Sequence, residues 1–223
     1  LYKYFICTKA RLNATLKLIL RLINQNPFVM FSADTLSALL KNDKAAQKQV
    51  FEALYSKLIG ISNRYCKSQA QANETVNVGF SNCLYKLQQQ RNNQQLNLEE
   101  FFEKQFIKEC IECVKAVKSE YYVSSTVYAA HSEPKNYDLF EDNGYIDVNT
   151  ANNEVLIKSL QQLVPSQRLI FNLHVIDGYS LVEAADILEA SAETVKSNLE
   201  KARFNLQKNI EKNIKTIKNE QPL

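Results

Sequence analysis

Apolar residues recur at intervals of three and four along almost the whole chain, the period of an α-helix with one buried face. Leu36, Leu39 and Leu40 share one side of a short helix introduced by Ser32. Val50, Leu54, Leu58 and Ile61 mark a second helix over residues 47–65. Residues 68–74 are polar and read as a connection. Val76, Phe80, Cys83, Leu84 and Leu87 then define a third stripe. Residues 88–97, rich in Gln and Asn, read as a loop. Phe102, Phe106, Cys110, Cys113 and Val117 run along a helix predicted over 99–118.

The pattern stops at residue 119 and resumes near Glu154. Residues 119–154 hold Pro134, Gly144, scattered Ser and Asn, five Tyr, and seven acids against one Lys, a balance of about −6. The interval is too long for an ordinary loop and reads as an interdomain linker over 119–153. Beyond it, Val155, Leu156, Leu160 and Leu163 make a short helix, and Pro165 stands where a helix begins. Leu169, Ile170, Leu173 and Val175 continue to Gly178, a helix-ending residue. Ser180-Leu-Val-Glu183 has the form of a capping box. Ala184, Ala185 and Leu188 face inward after it. Ser191 reads as a new N-cap, and Val195, Leu199, Ala202 and Leu206 form the stripe of the last helix. Isoleucines at 210, 214 and 217 extend that stripe into a basic tail over 209–223.

The fold class is therefore all-α: two small helical domains, residues 30–118 and 154–208, joined by an acidic linker. Four Gly and four Pro in 223 residues exclude a turn-rich sandwich or barrel. Glycine-rich phosphate loops of the GxGxxG or GxxxxGK[ST] kind are absent. The two His, His131 in the linker and His174 beside a core stripe, read as solvated and structural. No linear constellation of nucleophile and base or of paired carboxylates points to an enzyme, and no cofactor is called for. Five Cys fit a reducing compartment. Cys110-Ile-Glu-Cys113 reads as CxxC, but it lies in a predicted helix without a second pair or a neighbouring His, so reduced core thiols are expected and no metal.

Net charge is only +3, unevenly spread. Residues 1–29 carry five Lys/Arg and no acid, and 194–218 carry seven Lys/Arg against two Glu. Basic ends suggest a polyanionic partner. The apolar run 12–23 is interrupted by Lys17 and Arg21 and falls short of the ~18 uncharged residues of a membrane helix. The chain is expected to be cytoplasmic, without membrane insertion. Met30, the single Met, is a plausible start, which makes residues 1–29 an N-terminal extension.

Residues 180–203 carry the clearest functional pattern. A short helix with small Ala184 and Ala185 permits close packing, a turn follows, and a second helix presents Ser191, Glu193, Thr194, Lys196, Ser197, Asn198, Lys201 and Arg203 off its apolar stripe. That is the pattern of a helix-turn-helix. Such a second helix can enter the major groove, with Lys/Arg on phosphates, short polar side chains on bases and its N-terminal N–H groups free for phosphate.

Leu163-Val-Pro-Ser-Gln-Arg168, Phe171, Leu173, Gly178-Tyr-Ser-Leu-Val-Glu-Ala-Ala185, Ser191-Ala-Glu-Thr-Val-Lys-Ser-Asn-Leu199 and Ala202-Arg203 together resemble the C-terminal domain of bacterial RNA polymerase sigma factors, of the extracytoplasmic-function type. Phe51-Glu-Ala-Leu-Tyr55, Ala72-Asn-Glu-Thr-Val-Asn77 and Phe80 look like the first domain of that family. The resemblance implies a factor that carries core RNA polymerase to promoter DNA and reads a −35-like element with its last helix. It implies contact with core polymerase through Asn73, Glu74, Asn77 and Phe80, a linker in the RNA exit path, and, as in many relatives, restraint by an anti-sigma protein.

Three departures alter what the resemblance implies. Phe106 and Cys113 stand where the family usually has Trp and Asn, on a helix rich in acids. Asn73, Glu74 and Asn77 replace a usual Glu, Asp and Gln. Glu189 stands where the turn often has Gly, so an altered turn is expected. Two other readings stay open: a helix-turn-helix regulator that acts without core polymerase, and a sigma-like adaptor that has lost DNA melting.

Overall fold

The computed structural model describes residues 31–90, 96–116 and 151–220. The expected N-terminal extension and most of the acidic linker lie outside the described residues. All regular elements among the described residues are helical. They fall into two compact units, one ending at Ala116 and the other containing residues 151–220.

The first unit comprises α1 (Ala33–Leu40), α2 (Lys44–Tyr65), α3 (Gln69–Gln89) and α4 (Leu98–Ala116). Side-chain oxygens cap all four, with Asn97 Oδ1 accepting from Glu100 N–H at the start of α4. Ser32 accepts from Thr35 N–H, Asp43 from Ala46 N–H and Ser68 from Gln71 N–H. Asn42, in the α1–α2 turn, takes the left-handed conformation that Asn tolerates (φ 62°). The connection expected over 68–74 is shorter than its polarity suggests. Residues 69–74 are the first turns of α3, because Gln, Ala and Glu are good helix formers and Ala72 is buried.

α2, α3 and α4 pack on one another, with α1 against α2 and α3. Val50, Leu54, Leu58, Ile61, Val76, Phe80, Cys83, Leu87, Phe102, Phe106 and Cys110 are buried, as their spacing predicts. Phe80 stacks on Phe102 at 5.2 Å and meets Phe51 edge-on at 5.0 Å. α3 approaches α4 closely at Gly79, where an added Cβ would lie 2.8 Å from the Phe106 ring.

The acids of α4 are largely engaged within the unit. Lys57 on α2 binds Glu99 at 2.8 Å and Glu103 at 2.6 Å. Glu109 accepts from Lys86 and Asn82 of α3. Glu100 pairs with Lys104 on α4's own surface, which lowers its carboxyl pKa. Burial disfavours the Lys57 cation, but its hydrogen bonds to Glu103 and Glu99 outweigh that and raise the Lys57 pKa above its usual value. Any stability from that shift is fully present at neutral pH and is lost only as pH rises through the raised value.

The second unit comprises α5 (Asn153–Gln161), α6 (Pro165–Phe171), a π-helical turn (Asn172–Ile176), α7 (Leu181–Leu188) and α8 (Ala192–Glu220). α8 runs unbroken through the basic stretch, burying Ile210 and Ile214 along with Val195, Leu199, Ala202 and Leu206. It packs on α5, α6 and α7. Asparagines one turn apart along α8 reach the other helices. Asn205 donates to Gln167 Oε1 (3.0 Å), Asn209 to Ser159 O (3.2 Å) and Asn213 to Ser159 Oγ (2.8 Å). Arg168 is buried and donates from Nη1 to the carbonyls of Gln161 (3.0 Å) and Leu163 (2.8 Å), closing the end of α5. Gly178 takes a left-handed φ of 78° after the π-helical turn. His174 Nδ1 lies 2.8 Å from Tyr179 O, a structural contact.

Replacing Lys57 with Met removes the ammonium group 2.8 Å from Glu99, whose side chain is only 5% exposed. The variant is expected to lose about 3 kcal/mol, read as a lower urea midpoint at unchanged m.

Candidate nucleic-acid interface

α7 and α8 form the candidate reading unit. α7 opens on a complete capping box: Ser180 Oγ accepts from Glu183 N–H (3.2 Å), and Glu183 Oε2 accepts from Ser180 N–H (2.8 Å). The Ser180 N–H, followed by its side chain, lowers the Glu183 carboxyl pKa. Ala184, Ala185 and Leu188 are buried and let α7 lie close to α8. Glu189 ends α7 in the left-handed region (φ 54°, ψ 43°), its N–H bonded to the Ala185 and Asp186 carbonyls. The altered turn expected from the missing glycine is therefore not found. Glu189 takes the strained conformation itself, at a cost of about 1 kcal/mol, because packing on both sides holds the turn.

Ser191 then starts α8. Its Oγ accepts from Thr194 N–H (3.1 Å), and its carbonyl accepts from Val195 N–H. Part of the helix terminus expected to be open to phosphate is thus already satisfied, and Glu193 occupies the first turn.

α8 buries Val195, Leu199 and Ala202, which turns the remaining positions outward. By helical spacing, Glu193, Ser197 and Glu200 follow one another along the outer face. Lys196 and Arg203 flank that row on one side. Thr194, Asn198 and Lys201 flank it on the other. Glu193, Thr194, Lys196, Ser197 and Glu200 are exposed, and Asn198, Lys201 and Arg203 are half-exposed. Asn198 Nδ2 donates to Thr194 O at 3.1 Å, so part of its capacity is used within the helix. The structure thus brings all eight predicted residues onto one helix end, with Ser191 committed to its cap. Glu200 was missed from sequence, although its spacing from Glu193 and Ser197 places it on the same row. With Glu193 it offsets much of the charge of Lys196, Lys201 and Arg203.

In the first unit, Asn73, Glu74 and Asn77 lie exposed on α3, with Asn73 accepting from Gln69 at 3.0 Å. Phe80 does not join them. It is a core ring between Phe51 and Phe102, and it holds the helix rather than facing a partner. Two large residues missed from sequence share the outer side of α3: Val78, 56% exposed, and Tyr85, 63% exposed. Their position off the Val76–Phe80–Cys83–Leu87 stripe was the available signal. Phe106 is buried, and Cys113 is half-buried.

The second unit is a helix-turn-helix domain of the DNA-binding class. Residues 153–206, from the start of α5 into α8, match the family model for Sigma-70, region 4. That match supports a DNA-binding, helix-turn-helix role for residues 153–206. No curated protein matches the chain. Among the described residues no helix is long and apolar enough to cross a membrane.

Substituting Ser191 separates its cap from any contact role. Ser191→Ala is expected to cost about 1 kcal/mol in thermal unfolding, and Ser191→Asp to restore most of it.

Proposed function

We propose that the chain is a sigma factor of the extracytoplasmic-function type, which carries core RNA polymerase to promoters and reads a −35-like element with α8. The observation that carries this reading is the intact helix-turn-helix, with Glu193, Thr194, Lys196, Ser197 and Lys201 turned outward on the region that matches Sigma-70, region 4. Lys196, Lys201 and Arg203 hold phosphates, and Thr194, Ser197 and Asn198 meet base edges. Glu193 accepts from a cytosine amino group or repels phosphate, which makes it a specificity element.

The outer face of α3 holds core polymerase. Asn73, Glu74 and Asn77 supply its polar contacts, and exposed Val78 and Tyr85 its apolar area. Phe80 positions that helix.

A second reading rests on α4. Its Phe101, Phe102 and Phe106 are all buried, so α4 offers no exposed aromatic ring for unstacked bases. The factor then delivers polymerase to DNA but melts it poorly.

Run-off transcription with the full chain, core polymerase from the source organism and its upstream DNA fragments tests the proposal. Start-site-specific transcripts that require the chain are expected. Polymerase binding without transcripts favours the second reading. Neither one sinks both and leaves a free regulator. On a bound fragment, changing Lys196, Lys201 and Arg203 together to Gln is expected to reduce the log–log salt slope by about 3, whereas Glu200→Gln tightens binding at low salt.

A further inference from the structure

The interior of the first unit contains a sulfur cluster that neither reading above uses. Cys66 ends α2 and is fully buried. Cys113, on the last turns of α4, is half-buried and reachable by a small solute. Across the helices it lies beside Cys66, 47 positions away in the chain, through a shared Thr75 hydroxyl.

The Thr75 hydroxyl on α3 bridges the two, 3.4 Å from Cys66 Sγ and 3.2 Å from Cys113 Sγ. Gln71 Nε2 approaches Cys113 Sγ at 3.7 Å. The sulfurs therefore differ in character. The hydrogen bond from Cys66 lowers the Cys113 thiol to about 6, with Thr75 and Gln71 helping, against burial and the Glu74 carboxylate. The same bond, with burial, raises that of Cys66. Cys113 is thus the more acidic of the two, and the thiolate is the reactive form. This is the pairing of an attacking and a resolving thiol.

We propose that Cys113 and Cys66 form a peroxide-sensitive modification site, in which Cys113 is oxidised first and Cys66 then closes a disulfide onto it. The Cys113 thiolate attacks one oxygen of hydrogen peroxide. The O–O bond breaks, hydroxide leaves, and Cys113 becomes a sulfenic acid. The Cys66 sulfur attacks the Cys113 sulfur, the S–S bond forms, the S–O bond breaks, and the Cys66 proton departs with that hydroxyl as water. The two sulfurs together lose two electrons, and peroxide gains them. Both sulfurs already lie within 3.4 Å of one hydroxyl, and the bond closes them to about 2.05 Å. The product ties the end of α2 to the end of α4. The site stands independently of the partner proposed for either unit.

The test is peroxide treatment of the full chain, blocking of remaining thiols with N-ethylmaleimide, and non-reducing digestion with mass spectrometry. A cross-linked pair of peptides containing Cys66 and Cys113, lighter by about two hydrogens, is expected. Cys110→Ser and Cys83→Ser retain it. Cys113→Ser abolishes it. In Cys66→Ser, Cys113 accumulates as a sulfenic acid that dimedone traps, and in the reduced wild type iodoacetamide labels Cys113 ahead of Cys66, Cys83 and Cys110 at neutral pH. A cross-link from Cys113 to Cys110 instead, or one that forms only in urea, overturns the proposal. So does a native wild type with no cross-link. The wild-type digest decides the matter even if a serine variant fails to fold.

Discussion

The second unit depends on one long helix finding partners along its whole inner face. α8 buries Val195, Leu199, Ala202, Leu206, Ile210 and Ile214 in a single stripe, and its asparagines at 205, 209 and 213 bond to α6 and α5 beside it. Burial of that stripe is the main source of stabilisation. The asparagine contacts set rotation and register, since a buried amide loses its partners if the helix turns. With the inner face held, the row Glu193, Ser197, Glu200 and its basic flanks have only one direction left to face. The recognition surface is thus a consequence of how the rest of the helix is packed.

The same logic explains why a turn without glycine survives. Ala184, Ala185 and Leu188 anchor α7, and Val195 and Leu199 anchor α8, so the backbone between them must pass through the left-handed region at Glu189. A cost of about 1 kcal/mol at one residue is small against the burial on either side. Arg168 plays a comparable part between α5 and α6, where its guanidinium meets carbonyls that a helix end would otherwise leave unpaired.

In the first unit, charge and sulfur serve the interior. The acids of α4 look in isolation like a surface hostile to nucleic acid, yet Glu99, Glu103 and Glu109 are held by Lys57 and Lys86 from the neighbouring helices. The same packing that draws α2 and α4 together through Lys57 brings the end of α2 beside the end of α4, where Cys66 meets Cys113. The outer side of α3 is left with Asn73, Glu74, Asn77, Val78 and Tyr85, a mixed polar and apolar surface suited to a protein partner.

The all-α class, the helix stripes, the caps at Ser32, Ser180 and Ser191, and the helix-turn-helix were legible from the sequence, because each depends on residues within a few positions of one another. The same spacing put Thr194, Lys196 and Ser197 off the buried stripe. Only tertiary structure decided that Phe80 packs between Phe51 and Phe102, that α4's acids are paired from neighbouring helices, and that Cys113 lies beside Cys66. Each of these rests on a contact between helices distant in the chain. Helical period identifies which side of a helix is buried, but which neighbour covers that side depends on how separate helices cross, and no local spacing encodes it.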